Sequence, residues 1–114
     1  MAIFKIDCDG TIWEEQWPGI GPIFPEAIDT MQKIKQLGHT IVIDTCRTGK
    51  YLEDAIQCLL ENHIPFDYVN ENVPWLIEQY GDCRKISCDY DVDDKNITPW
   101  TWNDVLEIAI KTGR

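Results

Sequence analysis

The chain has 114 residues, a length that supports one domain with a real hydrophobic core and excludes two. Twenty acidic residues against ten basic ones give a formal charge of −10, which disfavours nucleic acid and anionic membrane as partners unless a cation or a local basic patch intervenes. No apolar run approaches the length that spans a bilayer, and no basic-then-apolar signal stretch opens the chain, so a soluble, cytoplasmic protein is expected.

The segment Ala2 to Asp7 is a short run of strand formers that stops at an acidic, glycine-containing turn, and it reads as a first, buried strand. A tryptophan- and glycine-rich stretch follows, about 12–24, long enough for a small flap or hairpin but not for a domain. Pro25 to Leu37 has helical spacing at Ile28, Met31, Ile34 and Leu37, with proline suited to the first turn and Gly38 to the exit. Thr40 to Asp44 is the second strand, and Tyr51 to Glu61 the second helix, with Leu52, Ala55, Ile56, Leu59 and Leu60 on one face.

Phe66 to Val69 reads as a third strand, Trp75 to Tyr80 as a short helix and Lys85 to Val92 as a fourth strand. A last helix, Asn103 to Lys111, takes Thr101 or Asn103 as N-cap and buries Val105, Leu106, Ala109 and Ile110. Short apolar strands alternating with amphipathic helices predict a three-layer α/β domain with a mostly parallel sheet, because parallel strands need helical crossovers. Ligand sites in such sheets lie at the carboxyl ends of the strands. Asp7, Thr45 and the pair Asp93 and Asp94 fall at three of those ends.

Cys8, Cys46, Cys58, Cys83 and Cys88 are odd in number and lack CxxC or zinc-like spacing, so reduced thiols are expected. His39 and His63 fall at helix-to-strand connections, away from the strand ends, and are given no catalytic role.

The segment IDCDGT, Ile6 to Thr11, places two carboxylates two residues apart after a strand, then Gly10 for a tight turn and Thr11 as a hydroxyl; the plain alternative is an acidic loop. A hydrophobic strand followed by DxDGT resembles the first motif of the haloacid dehalogenase-like superfamily. IVIDT, ending in Thr45, is similar to its second motif, and RKISCDYDVDDKN looks like its third and fourth, with Lys85 and the acidic pair Asp93 and Asp94. Asp89 and Asp91 alternate with Asp93, and the pair is placed at Asp93 and Asp94 because Val92 precedes them and Lys95-Asn96 begins a loop. The motifs stand in the family's order and cover Phe4 to Asn96.

The resemblance implies a Rossmann-like, capless phosphatase of one catalytic domain, 1–114, that hydrolyses a phosphate monoester with Mg2+. Asp7 would be the nucleophile and form an aspartyl-phosphate, and Asp9 would protonate the leaving oxygen and then activate water. Thr45 would hydrogen-bond a phosphoryl oxygen, the backbone amides at Gly10 and Thr11 would point at the phosphate with Cys46 beside it, and Lys85 would pair with the phosphate and with Asp7. Asp7, the carbonyl of Asp9, and Asp93 or Asp94 would hold the metal. The second aspartate points to phosphate chemistry, since the family's dehalogenases lack it.

Arg47 is read either as a contact for a second phosphate or the substrate body, or as a surface arginine capping a turn. Trp13, Trp17 and Phe24 on the flap either pack on the domain, the reading placed first, or stack on a substrate. Trp100 and Trp102 suit a site wall or an oligomer contact. Without a cap, the site suits a bulky substrate such as a phosphorylated macromolecule, a nucleic-acid phosphate end included, or closure by a second subunit. The competing readings are a phosphate-ligand or divalent-metal-binding protein without turnover, and a phosphotransferase.

Overall fold

The computed structural model describes residues 1–83 and 85–112. The elements run β1 (Ile3–Ile6), β2 (Trp13–Gln16), β3 (Gly19–Ile23), α1 (Pro25–Gln36), β4 (Thr40–Ile43), α2 (Gly49–Glu61), β5 (Tyr68–Val69), α3 (Pro74–Tyr80), β6 (Tyr90–Val92) and α4 (Trp102–Thr112). The main sheet has the order β5-β4-β1-β6, every pairing parallel. β2 and β3 form a separate antiparallel hairpin across the stretch read as a flap. Among the described residues no helix is long and apolar enough to cross a membrane.

Alternation along the central strands divides the core. Phe4, Ile6, Ile41 and Ile43 face Met31 and Ile34 of α1, Ala55 and Leu59 of α2, and Val105 and Ala109 of α4. Ile3 and Val42 face the other way, against Val73, Leu76 of α3, Ile86 and Cys88. Three helices therefore cover one face, and one short helix with loop residues covers the other. Leu60 and Ile110, expected inside, are exposed, because the buried stripes of α2 and α4 are narrower than their apolar spacing suggested.

The outer strands are shorter than their sequences predict, for the same reason at both edges. Asp67 donates its N–H to the Ile41 carbonyl and accepts the Ile41 N–H on its carboxylate, at 2.9 and 2.8 Å. Asp89 repeats this around Ile3, at 2.8 and 2.7 Å. A carboxylate thus replaces a main-chain carbonyl where each ladder begins. Asn72 then ties down Cys83, Lys85 and Ser87, donating to the carbonyls of the first two and accepting the N–H of the third.

Thr101 is the N-cap of α4, its hydroxyl accepting the Asp104 N–H while the Asp104 carboxylate accepts the Thr101 N–H. His39 is fully buried; its Nδ1 accepts the Ala2 N–H and its Nε2 lies 2.9 Å from the Ala109 carbonyl, which fixes a neutral ring with the proton on Nε2. It ties β1 to α4. His39→Phe strands both backbone groups and is expected to cost about 2–4 kcal/mol in urea unfolding; a loss below about 0.5 kcal/mol contradicts this role.

Candidate functional site

The order β4-β1-β6 sets three strand ends side by side. The Asp7 N–H donates to the Val92 carbonyl at 2.9 Å and the Asp44 N–H to the Ile6 carbonyl at 3.0 Å, so the chain leaves β1, β4 and β6 in register. The residues next in line, Asp7, Thr45 and the pair Asp93 and Asp94, line one cleft of about 370 Å³ with Asp9, Cys46 and Arg47. Glu15 and Trp17 of the hairpin and Lys95 complete its walls. Of the alternating aspartates, Asp89 is spent on Ile3 and Asp91 on Lys5, while Asp93 and Asp94 stand beside Asp7.

Asp7, Asp93 and Asp94 each offer a carboxylate oxygen, and these lie within 4.8 Å of one another. Burial, and then the charges of Asp93 and Asp94, push Asp7 up from 3.8 to about 7, although the Cys8 N–H and the Thr11 hydroxyl favour its ionised form. Such a set of hard oxygen donors suits a hard divalent cation, which would relieve the repulsion.

The loop after Asp7 is tightly built. Gly10 has φ +82°, and a Cβ there would run into the Asp94 carboxylate. Expectation and structure part here, because the Gly10 N–H donates to the Trp13 carbonyl and the Thr11 N–H to the Cys8 carbonyl, so neither amide is aimed at a phosphate. Thr11 instead supports Asp7 through its hydroxyl, at 3.2 Å. Cys8 lies in the core, where burial first and the charges of Asp7 and Asp9 next hold its thiol protonated.

Arg47 corrects both sequence readings. It is no surface turn cap, being 1% exposed, and although it lines the cleft all five of its N–H bonds go to the protein, so none is left over for a phosphate as the side chain stands. Nε and Nη2 form a fork on the Asp9 carboxylate at 2.7 Å each, Nη2 also reaches the Gly19 carbonyl, and Nη1 donates to the carbonyls of Pro18 and Tyr51. Trp13 adds an indole N–H to Asp9 at 2.9 Å. Burial works against the Asp9 charge, but these bonds to Arg47 and Trp13 outweigh it and hold the carboxyl below its ordinary value. The Asp9 carboxylate is thereby turned from the Asp7, Asp93 and Asp94 cluster toward the hairpin.

Lys85 lies in the loop before β6, exposed, and does not line the cleft; the side chain of Asn72 pins its carbonyl there. Lys5, in β1, is also diverted, lying 3.3 Å from Asp91 and 3.6 Å from Asp44; burial alone would lower its pKa, but these two charges raise it. With Arg47 occupied, Lys95 is the remaining basic residue of the cleft wall among the described residues, its ammonium 3.6 Å from Asp94 and its side chain 80% exposed. Sequence reading passed over Lys95 and Glu15 because only the hairpin and the loop after β6 bring them to the strand ends.

Thr45 is half placed by others: its N–H donates to the Asn70 side chain, and its hydroxyl oxygen accepts the Arg47 N–H, which leaves the hydroxyl proton for another partner. The flap and loop tryptophans divide. Trp13 is fully buried, Trp100 donates to the Asp93 carbonyl and Trp102 to the Thr11 carbonyl, so the last two brace the two acidic loops. Phe24 packs on the core, and Trp17 is exposed.

The chain matches no protein-family model and no curated protein. Among solved structures it resembles a conserved protein from Bacteroides thetaiotaomicron, with a TM-score of 0.85 and 29% identity over 96% of this chain and 90% of that one. The shared class is a small α/β fold with a mainly parallel sheet.

Two stability predictions follow from this geometry. Arg47→Met leaves the Asp9 carboxylate and the hairpin carbonyls without their donor, and is expected to cost about 3–5 kcal/mol in urea unfolding; a cost below about 1 kcal/mol contradicts the clamp. Asp7, raised to about 7, keeps a proton in the folded chain that the unfolded chain loses near 3.8, so this group's contribution to stability falls as pH rises between those values. In chelator at pH 8, Asp7→Asn should therefore be more stable by about 1–2 kcal/mol after allowance for solvent screening, with the gain shrinking by pH 5. Equal melting temperatures for both proteins at both pH values contradict the crowding of charge.

Proposed function

We propose that the protein is a magnesium-dependent phosphohydrolase of the haloacid dehalogenase-like superfamily, acting on a phosphate monoester. The observation that carries this reading is the convergence of Asp7, Asp9, Thr45, Asp93 and Asp94, from three separated segments, on one cleft at the ends of a parallel sheet. The unequal cover of the two sheet faces is read as that superfamily's three-layer architecture with one layer reduced to α3 and a loop.

Asp7, Asp93 and Asp94 would hold the cation, with the Asp9 carbonyl as a further oxygen. When bound, magnesium neutralises phosphate charge and keeps the carboxylates ionised together. An Asp7 oxygen attacks phosphorus and the bond from phosphorus to the leaving oxygen breaks; Asp9, ionised while Arg47 and Trp13 grip it, gives that oxygen a proton only after it has left those partners and taken one up from solvent. Water then attacks the aspartyl-phosphate, Asp9 takes the water's proton, and Asp7 is restored as phosphate leaves. Three N–H groups grip Asp9, so it reaches the leaving oxygen only when one of those contacts yields. Thr45 donates its hydroxyl proton to a phosphoryl oxygen, and Lys95 takes the phosphate-pairing part expected of Lys85.

The fork on Asp9 also favours a second reading, a phosphate-ligand or metal-binding protein without turnover, and kinetics decide between the two. Hydrolysis of p-nitrophenyl phosphate should require magnesium, fall at least about 10³-fold in Asp7→Asn and fall about 10²-fold in Asp9→Asn, on protein shown to be folded. Magnesium-independent hydrolysis, or full activity in Asp7→Asn, contradicts the covalent mechanism. Lys95→Ala should lower kcat/KM about tenfold or more, and Lys85→Ala less than about twofold; the reverse order returns the phosphate-pairing part to Lys85.

A further inference from the structure

We infer that Trp17 and Tyr51 form an aromatic subsite at the rim of the cleft, which receives a flat-faced ring in the leaving group of the phosphorylated substrate. This deepens the phosphohydrolase reading and rests on it. Trp17 is 55% exposed and Tyr51 43% exposed, yet their rings lie 5.0 Å apart at 56°, and Trp17 lines the same cleft as Asp7 and Asp9. A large aromatic at a hairpin turn normally moves freely and costs exposed apolar surface. Here one buried cation lies by the Trp17 ring and reaches the backbone of Tyr51.

The Arg47 guanidinium lies 5.0 Å from the centre of the Trp17 ring, its N–H groups hold the carbonyls of Pro18 and Gly19 directly after Trp17, and another reaches the Tyr51 carbonyl. The guanidinium that grips Asp9 therefore also sets the aromatic rim, which fixes the rim relative to the reacting groups. Trp13, Trp100 and Trp102 spend their indole N–H groups on internal braces, whereas Trp17 is presented outward. Such a preset platform gains binding without an ordering cost.

Size and polarity narrow the guest. A cleft of about 370 Å³ sits at the small end of the range of roughly 300–1,000 Å³ for small-molecule sites, enough for a phosphate and one ring system. Glu15, in the same wall, offers acceptors to N–H or O–H groups on the ring edge. The chemistry is an apolar ring face with donor groups at its edge, as a nucleobase or a pyranose presents.

The test compares kcat/KM in magnesium for AMP, glucose 6-phosphate and the ringless glycerol 3-phosphate, in wild type, Trp17→Ala, Trp17→Phe and Tyr51→Ala. Trp17→Ala should lower the ratio of ring-bearing to ringless kcat/KM about tenfold, mainly through KM, with Trp17→Phe recovering most of it and Tyr51→Ala giving a smaller loss. Which ring shows the loss separates the nucleobase from the sugar. An unchanged ratio overturns the inference, including the case in which Trp17→Ala only dissolves a dimer in sedimentation.

No turnover on any probe overturns the phosphohydrolase reading instead. The subsite is then judged by equilibrium binding of AMP and glucose 6-phosphate. Binding weakened about tenfold by Trp17→Ala keeps it, and binding that is absent or unchanged by the substitution removes it.

Discussion

The arrangement of the site depends on one guanidinium, that of Arg47, buried at the junction of the hairpin, the loop after β1 and the start of α2. Taking such a charge from water costs several kcal/mol, and only a full set of partners offsets that cost. Asp9 supplies a fork of two bonds at 2.7 Å, and backbone carbonyls take up the remaining N–H groups. The consequence is mechanical as well as electrostatic: the side chain proposed to move the proton and the flap proposed to meet the substrate are fixed to the same group. A shift of one changes the contacts of the other.

The second constraint is charge crowding. Parallel pairing of β4, β1 and β6 delivers Asp7 beside Asp93 and Asp94, where burial and mutual repulsion raise the Asp7 pKa to about 7. Without a cation, that carboxyl therefore holds a proton to a higher pH than an ordinary aspartate, and the proposed attack needs the ionised form. Asp9 sits close by in sequence but in the opposite condition, held ionised by Arg47 and Trp13. The two aspartates of one short motif therefore have pKa values displaced in opposite directions by their surroundings, and the proposed roles require a cation that ionises Asp7 and a release of Asp9 from Arg47 that lets it take up a proton.

Much of this was legible in the sequence. The strand β4, the helices α1 and α2 and the strand-end positions of Asp7, Thr45, Asp93 and Asp94 follow from hydrophobic period and from a motif order that needs no side-chain detail. Val92 before the pair and Lys95-Asn96 after it select Asp93 and Asp94, and of the earlier aspartates Asp89 is bonded to Ile3 and Asp91 is paired with Lys5. What was not legible depends on contacts across the chain. Nothing local announces that Arg47 turns inward, because Asp9, Pro18 and Gly19, which take most of its N–H groups, lie 38, 29 and 28 residues away. Lys85 fits its motif by spacing alone, and the side chain of Asn72 is what keeps its loop outside the cleft.

The central claim is that Asp7 accepts a phosphoryl group with a cation beside it, and beryllium fluoride tests this without knowledge of the substrate, because it binds an ionised carboxylate as a phosphoryl mimic. Fluorine NMR of the protein with beryllium fluoride and magnesium should show protein-bound resonances that vanish in Asp7→Asn and in chelator. Wild-type protein that shows no bound resonance in magnesium, or Asp7→Asn protein that keeps it, would contradict the account.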